Sequence, residues 1–171
     1  MVTDSMLKVK FYDSIEDSKL KFAVIISMSY GKWVFCKHKE RDTYEVPGGH
    51  REEGESILDT AKRELREETG ATKFNIKPVC VYSVIGKTRV NENLDEEVFG
   101  MLYVADIMEF EELHSEIEKI VITDKLIENW TYPLIQPLLL IEAMERGFIS
   151  KYTELTDMGR ALYEKYGSEE H

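Results

Sequence analysis

The stretch from Pro47 to Gly70 constrains the fold more than any other part of the sequence. Its Pro47-Gly48-Gly49 start predicts a tightly bent loop, because proline fixes φ and glycine tolerates unusual backbone angles. Residues 57–69 contain neither glycine nor proline, Ser56 precedes them as an N-cap, and Gly70 follows them as a left-handed cap. The stretch therefore predicts a helix over Ile57–Thr69 that is entered from a glycine-rich loop.

Segments rich in β-branched and aromatic residues lie on both sides of this helix and predict strands. A second helix is predicted from Leu134 to Arg146, before Gly147, and a last one over Asp157 to Tyr166. The predicted strands are Leu7–Tyr12, Phe22–Met28, Trp33–His38, Phe74–Ile85, Glu97–Ile107 and Ile117–Ile122, with Tyr30-Gly31 as the turn between the second and third. Strands around one early helix, with further helices near the end, favour a mixed α/β layered domain of the α+β kind.

The composition narrows the class of partner. The chain has 171 residues, of which 43% are hydrophobic and 32% charged, which is ordinary for one globular domain with a real core. A formal net charge of -11 disfavours long nucleic acid but allows a small phosphorylated ligand beside a metal ion. Cys36 and Cys80 are expected to be buried free thiols. The first residues do not resemble a signal peptide and the apolar run Leu134–Ile141 is short, so we expect a cytoplasmic protein that has no membrane partner.

Three glutamates on the predicted helix carry the chemistry. Glu64, Glu67 and Glu68 fall within an arc of about 100°, beside an apolar stripe of Leu58, Ala61 and Leu65 that should pack on the sheet. Carboxylates crowded at the edge of a core repel one another, and a hard divalent cation with oxygen ligands relieves that repulsion. Taken alone, however, the helix also allows a solvated acidic face without any ligand.

The spacing around these glutamates favours the metal site, because residues 49–71 resemble the Nudix box. The matching positions are Gly49, Glu55, Arg63, Glu64, Glu67, Glu68 and Gly70, with Leu65 at the apolar position and Ala71 where a bulkier aliphatic residue is usual. The resemblance implies a Nudix-type α/β/α sandwich with a mixed central sheet and C-terminal helices. We expect that domain over residues 1–150, with 151–171 as a helical extension packed on it.

The resemblance also implies a role for each box residue. Glu64, Glu67 and Glu68, with the backbone carbonyl of Gly48, would hold Mg²⁺ or Mn²⁺. Glu67 or a distal glutamate would position or deprotonate the attacking water, and Glu116 fits the distal position best, with Glu112 as its rival. Arg63 and Glu55 would orient the glutamates and brace the loop against the helix.

A member of this family would hydrolyse a diphosphate linkage in a nucleoside diphosphate derivative. The favoured substrate is a (deoxy)nucleoside triphosphate such as 8-oxo-dGTP, cleaved to the monophosphate and pyrophosphate. A nucleotide sugar, a dinucleoside polyphosphate, and a non-catalytic Nudix-fold module remain alternatives, and a homodimer is allowed by analogy. Trp33, Tyr44, Phe99 and Tyr132 could stack on a base, but at 11% aromatic content we expect most of these residues to fill or cover the core.

Overall fold

The computed structural model of the protein describes residues 7–86, 96–113, 117–125 and 127–149. Its strands are β1 (Lys8–Tyr12), β2 (Leu20–Ser29), β3 (Lys32–His38), β4 (Gly48–His50), β5 (Ala71–Ile85), β6 (Glu97–Phe110) and β7 (Ile117–Thr123). Its helices are α1 (Ile57–Thr69) and α2 (Gln136–Glu145), with a 3-10 turn at Asp17–Lys19. The predicted helix Asp157–Tyr166 and extension 151–171 lie outside the described residues.

All seven strands belong to one sheet with the order β1-β5-β6-β2-β3-β7, and β4 pairs with the first part of β2. The β2–β6 pair is parallel and the other pairs are antiparallel, so the predicted mixed sheet is confirmed. The two long strands β5 and β6 pair along nearly their whole length. Tyr30-Gly31 forms the predicted turn between β2 and β3, both residues having positive φ.

A helix covers each face of the sheet, because side chains of a strand alternate between the two faces. Ala23 and Ile25 of β2 belong to the cluster that packs against α1, together with Leu65. Ile26 and Met28 belong to the cluster on the α2 side. This arrangement is the predicted α/β/α sandwich, and in the described part of the chain no helix is long and apolar enough to cross a membrane.

The structure corrects one expectation about packing and agrees with another. Leu58 does not join the buried stripe of α1, since it is 39% exposed, whereas Ala61 and Leu65 are fully buried. Trp33 is fully buried in the core beside Phe35, as expected for most of the aromatic residues, so it cannot stack on a base.

The glycines after Pro47 do not form the predicted bent loop. Gly48 and Gly49 are paired with Val24 and Ala23 as strand β4, and neither has a positive φ. Glycine is needed there for close approach: a Cβ on Gly48 would lie 2.7 Å from the Ala23 carbonyl oxygen, and one on Gly49 would overlap the Glu64 carboxylate. The strand β4 therefore lets α1 bring a carboxylate directly against the backbone.

Candidate active site

The ends of α1 are fixed by the residues that the sequence predicts. The Ser56 hydroxyl accepts a hydrogen bond from the Asp59 amide at 3.1 Å, and the Asp59 carboxylate accepts one from the Ser56 amide at 3.2 Å, forming a capping box. Gly70 ends the helix in the left-handed region at φ +78°. These caps fix which side chains of α1 face the sheet.

Glu64 and Glu68 lie on the inward face of α1, in line with Ile57 and Ala61 at helical spacing. The Glu64 and Glu68 side chains are only 14% and 8% exposed, whereas Glu67 is 53% exposed. The three glutamates thus differ from the predicted stripe beside the core: two point into the structure and one stands at its edge. Neither buried carboxylate lies in an apolar environment without polar contacts.

Glu68 is held from two sides. Its Oε1 accepts a hydrogen bond from the Gly48 amide at 2.8 Å, and its Oε2 lies 3.0 Å from Nε2 of His38. The hydrogen bond to Glu68 raises the pKa of His38, against the opposing effect of burial. Because Gly48 belongs to β4 and His38 ends β3, Glu68 joins the helix to two separate strands.

Glu64 occupies the space that Gly49 leaves open, and its Oε1 accepts a hydrogen bond from Arg63 Nη1 at 2.8 Å. Burial, together with repulsion from Glu68, raises the pKa of Glu64 to about 7, although Arg63 opposes the shift. The charged form of Glu64 is therefore costly in the metal-free protein. Such crowding is what a cation at this position would relieve.

Arg63 connects the helix to the preceding loop. Its Nε and Nη2 donate to the two carboxylate oxygens of Glu55 at 2.7 and 3.0 Å, a bidentate pair, and Nη2 also donates to the His50 carbonyl at 3.0 Å. The hydrogen bonds from Arg63 lower the pKa of Glu55 to about 2. The contacts expected of Arg63 and Glu55 are present, and their functional roles stay predictions.

The remaining predicted site residues are distributed as follows. Oε2 of Glu67 lies 3.4 Å from Arg63 Nη1, and the Glu67 side chain is 53% exposed. Glu112 is exposed, and Glu116 lies outside the described residues. Among the residues that the structure describes, no three His, Cys, Asp or Glu side chains are gathered closely enough to hold a metal ion by themselves.

The donor set nevertheless fits a hard divalent cation. Every candidate ligand is an oxygen, and the carboxylates of Glu64 and Glu67 lie within 2.8 and 3.4 Å of the same nitrogen, Arg63 Nη1. Mg²⁺ commonly takes one or two carboxylates together with substrate phosphates, so a complete protein cage is not required. The residues that would hold it are Glu64, Glu67 and Glu68, with the Gly48 carbonyl as a further candidate.

Nothing in the sequence predicted the ion-pair group formed by His38, Arg41 and Glu45, which contacts Glu68 through His38. Oε1 of Glu45 lies 3.1 Å from His38 Nε2 and 3.3 Å from Arg41 Nη1, and the Glu45 side chain is only 7% exposed. His38 was expected to be a strand-end residue, which it is, but its ring also bridges Glu45 and Glu68. The backbone pairing of Cys36 with Glu45 brings Glu45 close to His38. The spacing of these residues along the chain does not predict that pairing.

A cavity of about 290 Å³ opens beside the glutamates, on the α2 face of the sheet. Gly48 and Gly49 form part of its wall, which places it directly next to Glu64 and Glu68. Its other walls come from β2, β5, β6 and the start of α2 with the segment before it, and from four charged or polar residues, His38, Arg41, Glu45 and His50. They include Phe22, Val24, Tyr82, Val84, Val98, Tyr132, Ile135, Gln136 and Leu139.

Comparison with known proteins agrees with this geometry. The NUDIX domain model matches residues 18–136, which include every strand from β2 to β7 as well as α1. The chain therefore belongs to the Nudix hydrolase family, as the box between Gly49 and Ala71 predicts.

Individual similar proteins share between 19% and 33% sequence identity with this chain. A Bacillus subtilis protein named YtkD, described as a candidate 8-oxo-dGTP diphosphatase, is 33% identical over 105 residues, and the match spans 61% of each chain. The crystal structure of the Bacillus subtilis pyrophosphohydrolase BsRppH has a TM-score of 0.67 at 27% identity, covering 84% of this chain and 93% of that one. A UDP-X diphosphatase shares the fold, with a TM-score of 0.57 at 19% identity, over 77% of this chain and 66% of that one.

Proposed function

We propose that this protein is a metal-dependent pyrophosphohydrolase of (deoxy)nucleoside triphosphates, of which 8-oxo-dGTP is one candidate. The observation that carries the proposal is that Glu64 and Glu68 lie against Gly49 and Gly48, two glycines that line a cavity large enough for part of a nucleotide, with Glu67 beside them on the same helix. The names of YtkD and of the Bacillus pyrophosphohydrolase support the same reaction class. Two buried free cysteines are consistent with a reducing, cytoplasmic location.

In this proposal, a water oxygen attacks a phosphorus atom of the triphosphate, the bridging P–O bond breaks, and the monophosphate and pyrophosphate leave. Bound Mg²⁺ or Mn²⁺ would neutralise phosphate oxygens and lower the pKa of water. Glu64 and Glu68 are the inward-facing carboxylates that would hold the cation, with the Gly48 carbonyl as a further ligand. Glu67, whose side chain is about half exposed, would take the proton from the water.

Arg63 and Glu55 are positioning residues in this scheme. The fork between them fixes the guanidinium, and the same guanidinium donates to Glu64 at 2.8 Å. Without it, the Glu64 carboxylate could rotate away from Gly49. The distal glutamate, Glu116 or Glu112, remains a second candidate for the base.

The test combines chelation with a substitution. Purified protein is assayed against a panel of triphosphates, nucleotide sugars and dinucleoside polyphosphates with Mg²⁺ or Mn²⁺, scoring phosphate and pyrophosphate release. We expect pyrophosphate from a triphosphate, no activity in excess chelator, and a loss of about 10²- to 10⁴-fold in kcat for Glu67→Gln.

Glu53→Gln is the matched control, since Glu53 is an exposed glutamate of the same segment that has no predicted role. It should leave kcat unchanged. Because Glu67 is half exposed, its variant should unfold at the temperature of the wild type. Full activity in chelator, or a Glu67→Gln variant as fast as the control, would reject the mechanism, and hydrolysis of a nucleotide sugar alone would move the protein to another substrate class.

A further inference from the structure

The orientation of one buried side-chain amide, that of Gln136, determines whether the cavity favours hydrogen-bond donors or acceptors of a ligand. Oε1 of Gln136 accepts a hydrogen bond from the Val46 amide at 2.9 Å. A backbone N–H is a donor, so the bonded atom of Gln136 must be its oxygen, and the Nε2 group is left on the other side with two N–H donors. Gln136 is only 5% exposed and lines the cavity.

The Gln136 Nε2 group has no hydrogen-bond partner within the described part of the chain. It is also not sealed off: among the described residues, Trp130 Nε1 is the one buried side-chain nitrogen or oxygen that lacks both a partner and accessible space. The free donors of Gln136 therefore border the cavity. A buried donor that lacks a partner costs about 1–3 kcal/mol, which a suitably placed ligand acceptor recovers.

Tyr82 places a second polar group at the same cavity. It stands opposite Gly100 in the β5–β6 pair, and a Cβ on Gly100 would come within 2.7 Å of the Tyr82 ring, so glycine keeps the ring in place. The residue is 5% exposed, and its hydroxyl has no hydrogen-bond partner among the residues described here. Burial raises the pKa of Tyr82, so its hydroxyl stays protonated.

The acceptor among the charged lining residues is already engaged. The Glu45 carboxylate receives hydrogen bonds or ion pairs from His38 and Arg41 at 3.1 and 3.3 Å. Among the buried lining residues, the polar groups left for a ligand are thus the Gln136 amide donors and the Tyr82 hydroxyl, which can donate or accept; His38, Arg41 and His50 also line the cavity but are more exposed. A cavity of this kind favours a ligand edge made of acceptors.

The distance to the glutamates suits a single nucleotide. Val46 binds Gln136, and Gly48, two residues later, binds Glu68. Two residues span at most about 7 Å, so a ligand can place its base against Gln136 and its phosphates at the carboxylates of α1. The opposite orientation would put the phosphates among Phe22, Val84 and Leu139, away from the carboxylates that would hold the cation.

We infer that Gln136, assisted by Tyr82, is the specificity-determining residue that selects an oxo base over an amino base. The inference rests on the proposed function and names the substrate class within it. Guanine offers O6 and N7 as acceptors, and uracil and thymine offer O4, whereas adenine and cytosine present an amino donor at the equivalent position. If the base presented its amino group to Gln136, two N–H donors would face each other and neither would have an acceptor.

The test measures binding, so that it does not depend on turnover. Calorimetric titration of the wild type with GMP, AMP, UMP and CMP at pH 8 should give Kd values about 10-fold or more lower for GMP than for AMP, and for UMP than for CMP. Gln136→Glu keeps an oxygen for the Val46 amide and replaces the free donors by an acceptor. It should bring the GMP-to-AMP ratio to one or reverse it.

Two further variants test the inference in case the carboxylate introduced by Gln136→Glu disturbs folding. Gln136→Met preserves the length of the side chain without donors and should bring both ratios close to one, and Tyr82→Phe should reduce them. Equal binding of the four monophosphates by the wild type, no binding of any, or variants that weaken all four by one common factor would overturn the inference. If triphosphates are not hydrolysed but GMP is still preferred, the proposed function fails while the inference stands.

Discussion

The glutamates and the cavity next to them are assembled differently. Glu64, Glu67 and Glu68 come from two turns of one helix, whereas Gln136 and Tyr82 come from distant parts of the chain and meet across the α2 face of the sheet. The first group concentrates like charges, and the second exposes unpaired neutral donors in an apolar wall. In the proposed function any phosphoric anhydride could use the first group, so reaction and selectivity would reside in separate parts of this site.

Each region depends on a glycine that makes room for a side chain. Gly49 leaves space for the Glu64 carboxylate, and Gly100 leaves space for the Tyr82 ring. The two positions are matched probes, because the added Cβ would meet the Glu64 carboxylate at Gly49 and the Tyr82 ring at Gly100.

The largest effect is expected from Gly49→Ala. The added Cβ would overlap the Glu64 carboxylate, which is the far end of a flexible side chain and can swing away at little cost to the fold. Displacing a group of the reaction centre by about 1 Å costs about 10²-fold in rate. Steady-state assays should show this loss in kcat for every substrate alike, with a nearly unchanged Tm. A loss of kcat for nucleotides of one base only would show that the glutamates and the cavity are not separate regions.

A smaller and substrate-dependent effect is expected from Gly100→Ala. Its Cβ would press on the Tyr82 ring at 2.7 Å and shift it within the cavity, an overpacking of about 1–3 kcal/mol. We expect KM to rise and the ratio of kcat/KM between guanine and adenine nucleotides to change by about 10-fold. Uniform loss of kcat, as for Gly49→Ala, would show that the two regions are not separate.

The smallest effect concerns stability without metal. In the folded protein the pKa of Glu64 is about 7, above its ordinary value of 4.5, so the folded state binds this proton more tightly than the unfolded state. Stability therefore falls as the pH rises from 4.5 to 7, and the penalty is complete above pH 7. Glu64→Gln should raise the free energy of unfolding by about 1 kcal/mol at pH 8 in chelator.

Denaturant titrations from pH 4 to pH 8 check this expectation. The gain of Glu64→Gln should disappear below pH 4.5, and added Mg²⁺ should reduce it by stabilising only the wild type. Glu53→Gln, on the exposed turn, should show no such pH dependence. A Glu64→Gln variant that is less stable at pH 8 than at pH 4, relative to wild type, would contradict the crowding of the three glutamates.

Much of the fold was predictable from local sequence. Helix α1 begins and ends at the predicted residues because its caps, Ser56 and Gly70, lie next to it in the chain. Helix α2 begins at Gln136 rather than Leu134, and β5 and β6 are longer than predicted, since pairing between strands extends them beyond their apolar cores. The strand β4 was missed because two adjacent glycines normally indicate flexibility, and only the backbone of β2 explains them.

The amino-acid sequence alone is enough to predict the family, the helix and the group of carboxylates, because these depend on residues within one short stretch and on the fixed geometry of an α-helix. The three-dimensional packing sets which glutamates are buried, brings His38 against Glu68, and turns the donors of Gln136 toward a cavity. These features require contacts between residues far apart in the chain, such as Val46 with Gln136. A hydrogen bond between distant residues leaves no periodic pattern in the sequence.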